Sequence, residues 1–450
     1  MASSPRRPIS ASLLRLDNPI RSLTLAFLVW KPLVFIAVVA CPGSGYDTST
    51  ALIHHENARL TTSLPWQLKF ARWDSIYFLH TAENGYVFEQ EWAFGFPRVL
   101  GLFVSGIRRS GGTGGPITTA LVGIALSHVA HYLSVVALYW LSVNIFGHAT
   151  SRQKLICFLS AALHIICPGG AFLSAPYGES TFSFLNISGF YLYSCSLIAE
   201  QNGGAALRDV YILGAALLFA IATTVRSNGL LSGFLFAYDV LFLSWVILTQ
   251  GPSVKSVRRL LVTGIGGATV AMGTLIPQVI AYRAYCLTET DLRPWCTWTL
   301  PSIYTWVQGF YWNVGFLRYW TISNVPLFLV AAPVLTLMVV SSLWALQTPP
   351  SLGLEPGKQS PSPLTPGSML FRLAVPQGLL AVLAMTSYHV QIVNRICSGY
   401  PVFYWYLASN AMDSLKDYRK GHRNLTVTAQ AMVGYALIQA VLFGSFLPPA

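Results

Sequence analysis

The sequence predicts an all-α polytopic membrane protein that crosses the bilayer about eleven times, and three observations carry that prediction. Of its 450 residues 54% are hydrophobic and only 10% charged, against roughly a quarter charged in an ordinary soluble domain. Apolar runs of about twenty residues, each long enough to span the hydrocarbon core, recur from Leu23 to the C-terminus. The basic residues fall in short clusters between those runs, in the alternating pattern of membrane topology. Length alone would suggest about three soluble domains. One membrane domain over 23–450, behind a cytosolic tail over 1–22, accounts better for where the apolar residues lie.

Taken in chain order, apolar length places spans at about 23–41, 117–146, 155–173, 180–199, 210–225, 229–249, 261–282, 321–346, 370–391, 400–412 and 426–446. No convincing small-residue cleavage site follows the first, so it reads as a retained span. From a cytosolic N-terminus, strict alternation puts every basic cluster in the cytosol: Arg6, Arg7, Arg15 and Arg21; Arg152 and Lys154; Lys255, Arg258 and Arg259; Lys416, Arg419, Lys420 and Arg423. A missed span would throw the later clusters to the other side. The formal charge of +12 therefore reports topology and not nucleic-acid binding, for which the basic residues should gather on one face.

The same alternation leaves three informative segments on the lumenal side: 42–116, 283–319 and the turn around Asn394 to Tyr400. The first is too long for a simple connection and mixes charge with Trp, Tyr and Phe, so it is expected to hold short helices lying in the interface. Its end, Ser110 to Pro116, reads as a Gly-rich hinge. The stretch 348–366, rich in Pro, Ser and Gly, is expected to be a disordered cytosolic linker. Cys286 and Cys296 share the second lumenal segment, where an oxidising compartment would allow a disulfide.

The densest polar constellation is Trp73-Asp74-Ser75-Ile76-Tyr77, continuing through Glu83, Gly85, Tyr86, Glu89 and Glu91 to Pro97. The full run, WDSIYFLHTAENGYVFEQEWAFGFP, resembles the first lumenal loop of the GPI mannosyltransferase 2 family, PIG-V, in its fungal form. Further segments match in order: SAPYGESTF from Ser174, VRSNG from Val225, YWNVGFLRYW from Tyr311 and NRICSGYPVFYW from Asn394. The resemblance runs from about Arg21 to the end, leaving out the 348–366 insert. It implies a GT-C type glycosyltransferase of the endoplasmic reticulum, using dolichyl-phosphate mannose to add the second mannose, in α1,6 linkage, to a GPI precursor glycolipid. A small membrane subunit is a partner that the same resemblance suggests.

Transfer from a β-linked lipid phosphate to an α-linkage inverts the anomeric carbon, so one carboxylate must take the proton of the incoming hydroxyl. Asp74 is the candidate base; the plainer reading makes it the N-cap of the helix that follows. Trp73 and Tyr77 either stack on sugar or isoprenoid or anchor the loop in the interface. Glu89 and Glu91 either bind acceptor or solvate the loop. Glu179 is a polar group supporting the site or a helix cap. Arg226 with Asn228, and Arg395 with Asn394, sit in short breaks between apolar runs, where an ionisable group needs a partner. A phosphate is one such partner; snorkelling at a helix end is the alternative. His128 and His131 at i, i+3 lack further ligands and read as structural. The chain contains no DxD pair, which favours a lipid-phosphate donor and a reaction without a divalent metal or other cofactor, although Glu89 and Glu91 leave a metal open.

Other readings remain. The acceptor could be an N-glycan precursor or a protein hydroxyl, since the chemistry at Asp74 does not identify it. A lipid transporter or flippase would place its ionisable residues near span centres, whereas here most lie at the lumenal ends and Lys31 is the chief exception. A non-catalytic subunit would tolerate replacement of Asp74.

Overall fold

The computed structural model describes residues 16–42, 45–47, 49–54, 64–287, 293–347, 368–413 and 418–447. The expected linker over 348–366, the tail basic residues Arg6, Arg7 and Arg15, and Lys416 lie outside the described residues. Sixteen α-helices follow one another among the described residues: α1 Pro19–Val39, α2 Ser49–His54, α3 Asp74–Asn84, α4 Gly95–Arg109, α5 Pro116–Phe146, α6 Ser151–Ile165, α7 Gly178–Gln201, α8 Ala205–Val225, α9 Phe234–Gln250, α10 Val254–Cys286, α11 Ile303–Phe310, α12 Val325–Gln347, α13 Met369–Thr386, α14 Val393–Ile396, α15 Val402–Asp413 and α16 Tyr418–Gly444. No strand occurs among those residues.

Among them nine helices are long and apolar enough to cross a membrane, so two of the eleven expected spans take another form. The run expected over 155–173 is a 15-residue helix, α6, that stops at Ile165, and the one expected over 400–412 is the 12-residue α15. Both are too short to span alone. Apolar length could not distinguish continuous helix from apolar irregular chain, and Pro168-Gly169-Gly170 breaks the first, with Gly170 at φ 44°. The chain nevertheless returns beside α5, where a Cβ on Gly123 would lie 2.6 Å from Pro176.

Irregular backbone inside an apolar bundle must have its polar groups met by protein. Gln439 of α16 accepts from the Ala171 amide at 3.1 Å and donates to Pro168 O at 3.2 Å. Ser127 of α5 donates to Ala175 O at 2.6 Å. Buried Lys31 of α1 donates to Leu173 O at 2.8 Å and Ser174 Oγ at 2.9 Å. Lys31, the residue that looked out of place in an apolar run, thus serves the backbone of the segment leading to α7.

One end of the bundle carries the basic clusters. Arg208 pairs with Glu200 at 2.5 Å and Asp209 at 2.6 Å, Arg258 reaches Asp209 at 2.7 Å, and Lys255 lies 3.4 Å from Glu200. Residues Leu16 to Arg21 share a shallow cavity there with His148 and Lys154. The opposite end is built from the segment between α1 and α5. Its α4 buries the i, i+4 stripe Phe96, Leu100 and Val104 and exposes Leu102 and Phe103, as a helix lying in an interface would. The Gly-rich hinge turns through Gly111 at φ 87° and Gly115 at φ 125° into α5. Asp47, Ser49 and Thr50 precede it, and Thr50 Oγ1 donates to Ala71 O at 2.7 Å.

The segment after α10 packs onto the same end. Cys286 and Cys296 are disulfide-bonded, with Cα atoms 5.6 Å apart, and Trp295, Ile303 and Val307 are buried against Tyr86 and Trp92. An epitope tag inserted at Ser253 and another at Asp291, the latter outside the described residues, flank α10. They are expected to report opposite sides of the membrane, cytosol for Ser253; protease or antibody access to both from one side would remove this topology.

Candidate active site

The site lies where α3, the start of α7, the α8–α9 break and the 387–401 segment meet. α3 starts abruptly because Trp73 takes a left-handed backbone, φ 45°, a conformation that costs a non-glycine residue about 1–3 kcal/mol. Its indole packs edge-on against Phe443 and Phe446 of the C-terminal segment, at 5.4 and 4.9 Å, and that contact holds the turn. Asp74 is therefore the first helical residue. Its carboxylate does not cap the helix but accepts from Arg395 Nη2 at 2.8 Å.

Arg395 is the centre of the constellation. Besides Asp74 it donates through Nε to Glu179 Oε1 at 2.8 Å, and its guanidinium lies over the rings of Phe172 at 4.3 Å and Tyr177 at 5.0 Å. Arg226, at the end of α8, donates to the same Glu179 oxygen. Glu179 is fully buried, and its second oxygen, Oε2, has no hydrogen-bond partner. Asp74 is the open member, its side chain 40% exposed against 13% for Arg395. Two carboxylates and two guanidiniums thus form a neutral set that faces solvent at Asp74.

Glycine shapes the approach. A Cβ on Gly95 would stand 2.5 Å from Thr224 Oγ1 and 2.8 Å from the Val225 amide, so only glycine lets α4 meet the end of α8 next to Arg226. Tyr177, beneath Arg395, is fixed by donating to Arg72 O at 2.6 Å. Burial raises the proton affinity of Asp74, while the Arg395 and Arg226 guanidiniums lower it; the cations prevail and its pKa falls below the ordinary carboxylate value.

The other residues singled out in the sequence divide. Tyr77, one turn along α3 from Asp74, faces Trp312 with ring centroids 6.0 Å apart, and its phenol pKa is raised by burial, then by Glu91 and Asp74. Glu91 is buried and bonds His80 Nδ1 at 2.8 Å. Glu89 is buried too, but its carboxylate is taken up within the protein: Trp295 Nε1 at 3.2 Å, Trp306 Nε1 at 2.9 Å and Tyr311 Oη at 2.8 Å all donate to it. It ties the two segments at this end together. Asn228 exchanges hydrogen bonds with Tyr400 at 3.1 Å. Asn394, although beside Arg395 in sequence, points to Tyr435 Oη at 2.7 Å on α16, away from the four charged groups.

His128 and His131 bond the carbonyls of Ile124 and His164. Asn186, in a nominal glycosylation sequon, is buried in α7 between Gly399 O and Ser232 Oγ. Sequence reasoning did not single out Phe172, whose ring supports Arg395, or His80 and Trp312, which close the side nearest Tyr77. An aromatic two residues before Glu179 was visible, but nothing local signals that a ring at 172 turns under an arginine at 395.

Residues 27–450 match the family model described as mannosyltransferase (PIG-V). The chain is 52% identical to GPI mannosyltransferase 2 of Aspergillus oryzae over 98% of both chains, and 50% identical to GPI mannosyltransferase 2 of Aspergillus fumigatus over 96% of this chain and 94% of that one. Among solved structures, an Archaeoglobus fulgidus oligosaccharyltransferase superposes on 94% of this chain with a TM-score of 0.48 and 9% identity; the chain spans 55% of that protein's length.

Proposed function

The chain belongs to the PIG-V mannosyltransferase family, and from that premise we propose that it transfers the second mannose, in α1,6 linkage, from dolichyl-phosphate mannose to a GPI precursor glycolipid in the endoplasmic reticulum membrane, with a GT-C type architecture and its active site facing the lumen. That it is a membrane mannosyltransferase of GPI-anchor synthesis follows from the family and its spans. The observation that carries the proposal is the Asp74–Arg395–Glu179–Arg226 set, which puts a solvent-facing carboxylate against two cations.

In this reading Asp74 accepts the proton of the acceptor mannose's hydroxyl while that oxygen bonds the anomeric carbon, and the bond from that carbon to the phosphate oxygen breaks. The phosphate leaves as an anion, so no separate acid is demanded, provided cations stand near it. Arg226 and Arg395 fill that role, with Glu179 as the buried counter-charge that holds both. Trp73, Tyr77, Glu91 and Asn228 bind or shape the substrate site around them, Glu89 does so by fixing its walls, and Asn394 acts only by tying the Arg395 segment to α16. The absence of a DxD pair in the sequence and the presence of two arginines support a reaction without a divalent metal. A small membrane subunit is a partner the reading allows for.

Loss of the protein tests the acceptor. The expected result is accumulation of a GPI intermediate bearing one mannose, seen by lipid extraction and mass spectrometry. An intermediate with no mannose or with two would overturn the assignment, and a normal GPI profile with underglycosylated protein would move it to another acceptor.

A further inference from the structure

We propose that Arg395 is an exchangeable cation that guards the base until the donor binds and then passes to the donor phosphate, so that Asp74 becomes basic only once the donor is in place. This rests on the reading of Asp74 as the base. It concerns when that base is available, which the reading does not address.

The geometry supplies the parts. Nη2 of Arg395 lies 2.8 Å from both Asp74 Oδ2 and Glu179 Oε1, and Nε donates to that same Glu179 oxygen at 2.8 Å, so Glu179 keeps a contact that does not depend on Nη2. Glu179 also holds Arg226, which makes no ion pair with Asp74. The anchoring of Arg395 to Glu179 and to the rings of Phe172 and Tyr177 leaves its Nη2 contact with half-exposed Asp74 as the one open to exchange. A planar guanidinium can keep one carboxylate on Nε while trading another anion on Nη2, which an ammonium cannot do.

Charge balance gives the reason for the trade. Asp74, Glu179, Arg226 and Arg395 sum to zero. A phosphodiester donor brings one negative charge. During transfer the proton moves from the acceptor hydroxyl to Asp74, the hydroxyl oxygen bonds the anomeric carbon, and the electron pair of the broken bond stays on phosphate, which becomes a dianion. One unit of negative charge has then moved from Asp74 to the leaving group, and a cation shared by both positions would move with it. While Arg395 sits on Asp74 the carboxylate's pKa is lowered; once Arg395 turns to phosphate, that restraint is lifted. The other groups that face Asp74 are Arg226 and Glu179 from α8 and α7, His389 and Tyr177, with Tyr77 on its own helix and Glu91 beyond it.

The test uses the full-length enzyme in detergent with dolichyl-phosphate mannose and a mono-mannosylated acceptor. The acid limb of kcat/KM reports the free enzyme and that of kcat the substrate complex. In the parent the kcat limb is expected at least one pH unit above the kcat/KM limb. In Arg395→Gln the kcat/KM limb rises toward the kcat limb, whereas Arg226→Gln raises the donor KM and shifts the kcat/KM limb by less. Arg395→Lys, which keeps a buried cation and guards against a variant that fails to fold, should show a kcat at least ten-fold lower with the parental kcat/KM limb. Coincident limbs in the parent, a limb unmoved in Arg395→Gln, or a Lys variant turning over at the parental rate would overturn the exchange. Asp74→Asn separates the two ideas: if it is inactive while the limbs coincide, only the exchange fails, and if it is fully active, the reading beneath it fails as well.

Discussion

Asp74→Asn is expected to leave a folded, membrane-inserted protein whose transfer rate is at least about 100-fold below that of the parent, the lower bound of what general-base catalysis contributes. Asparagine keeps the size of the side chain and an oxygen that can still accept from Arg395 Nη2, so the four-group set loses a charge without losing its contact. It cannot take a proton from the acceptor hydroxyl. The same residue sets the pH dependence. Because burial, which would raise Asp74's pKa, is outweighed by the Arg395 and Arg226 guanidiniums, the parent's kcat/KM should hold constant across neutral pH and fall only as pH drops through that lowered value, beneath the ordinary aspartate range. The Asn variant should lack this limb. Protein abundance must be measured with turnover, since misfolding would mimic lost chemistry in cells. An abundant variant with near-parental transfer would remove Asp74 from the chemistry.

The spans and the site differed in how far the sequence revealed them, and for different reasons. Hydropathy identified the nine long helices because lipid demands a continuous apolar stretch wherever a helix meets it alone. It overextended at 155–173 because that segment is shielded by other helices: apolar composition there reflects burial, and the backbone is free to break at Pro168 and Gly170 as long as Gln439, Ser127 and Lys31 satisfy it. The charged residues of the site were visible singly, each an ionisable group out of place beside an apolar run. Their pairing was not, since Asp74, Glu179, Arg226 and Arg395 are brought together across some three hundred positions by tertiary packing alone. Glu89 and Asn394 mark the limit of that reasoning. Both sit within matching motifs, yet one carboxylate is fully occupied by two indoles and a phenol and the other side chain turns to α16.

Glu179→Gln should cost the protein more in stability than any other change at the site. Glu179 is completely buried, and it is the carboxylate to which Arg226 is bound and one of two that hold Arg395. Glutamine fills the same space but cannot offset either guanidinium. Removing one partner of a buried ion pair typically costs about 3–5 kcal/mol, and the 16% exposure of the Arg226 side chain, which lets water relieve part of the imbalance, argues for about 3 kcal/mol. Set against a total stability of roughly 5–15 kcal/mol, that loss should lower steady-state abundance several-fold and shorten the protein's survival on heating in detergent. Joining it to Arg226→Gln removes the unpaired charge along with its partner, leaving Arg395 with Asp74, and should restore most of the abundance while transfer stays low, because a cation proposed to meet the phosphate is gone. Recovery of abundance without recovery of activity is the outcome that separates holding the fold from doing the chemistry. If the single variant is as abundant and as heat-resistant as the parent, Glu179 is not the counter-charge that keeps the two arginines in place.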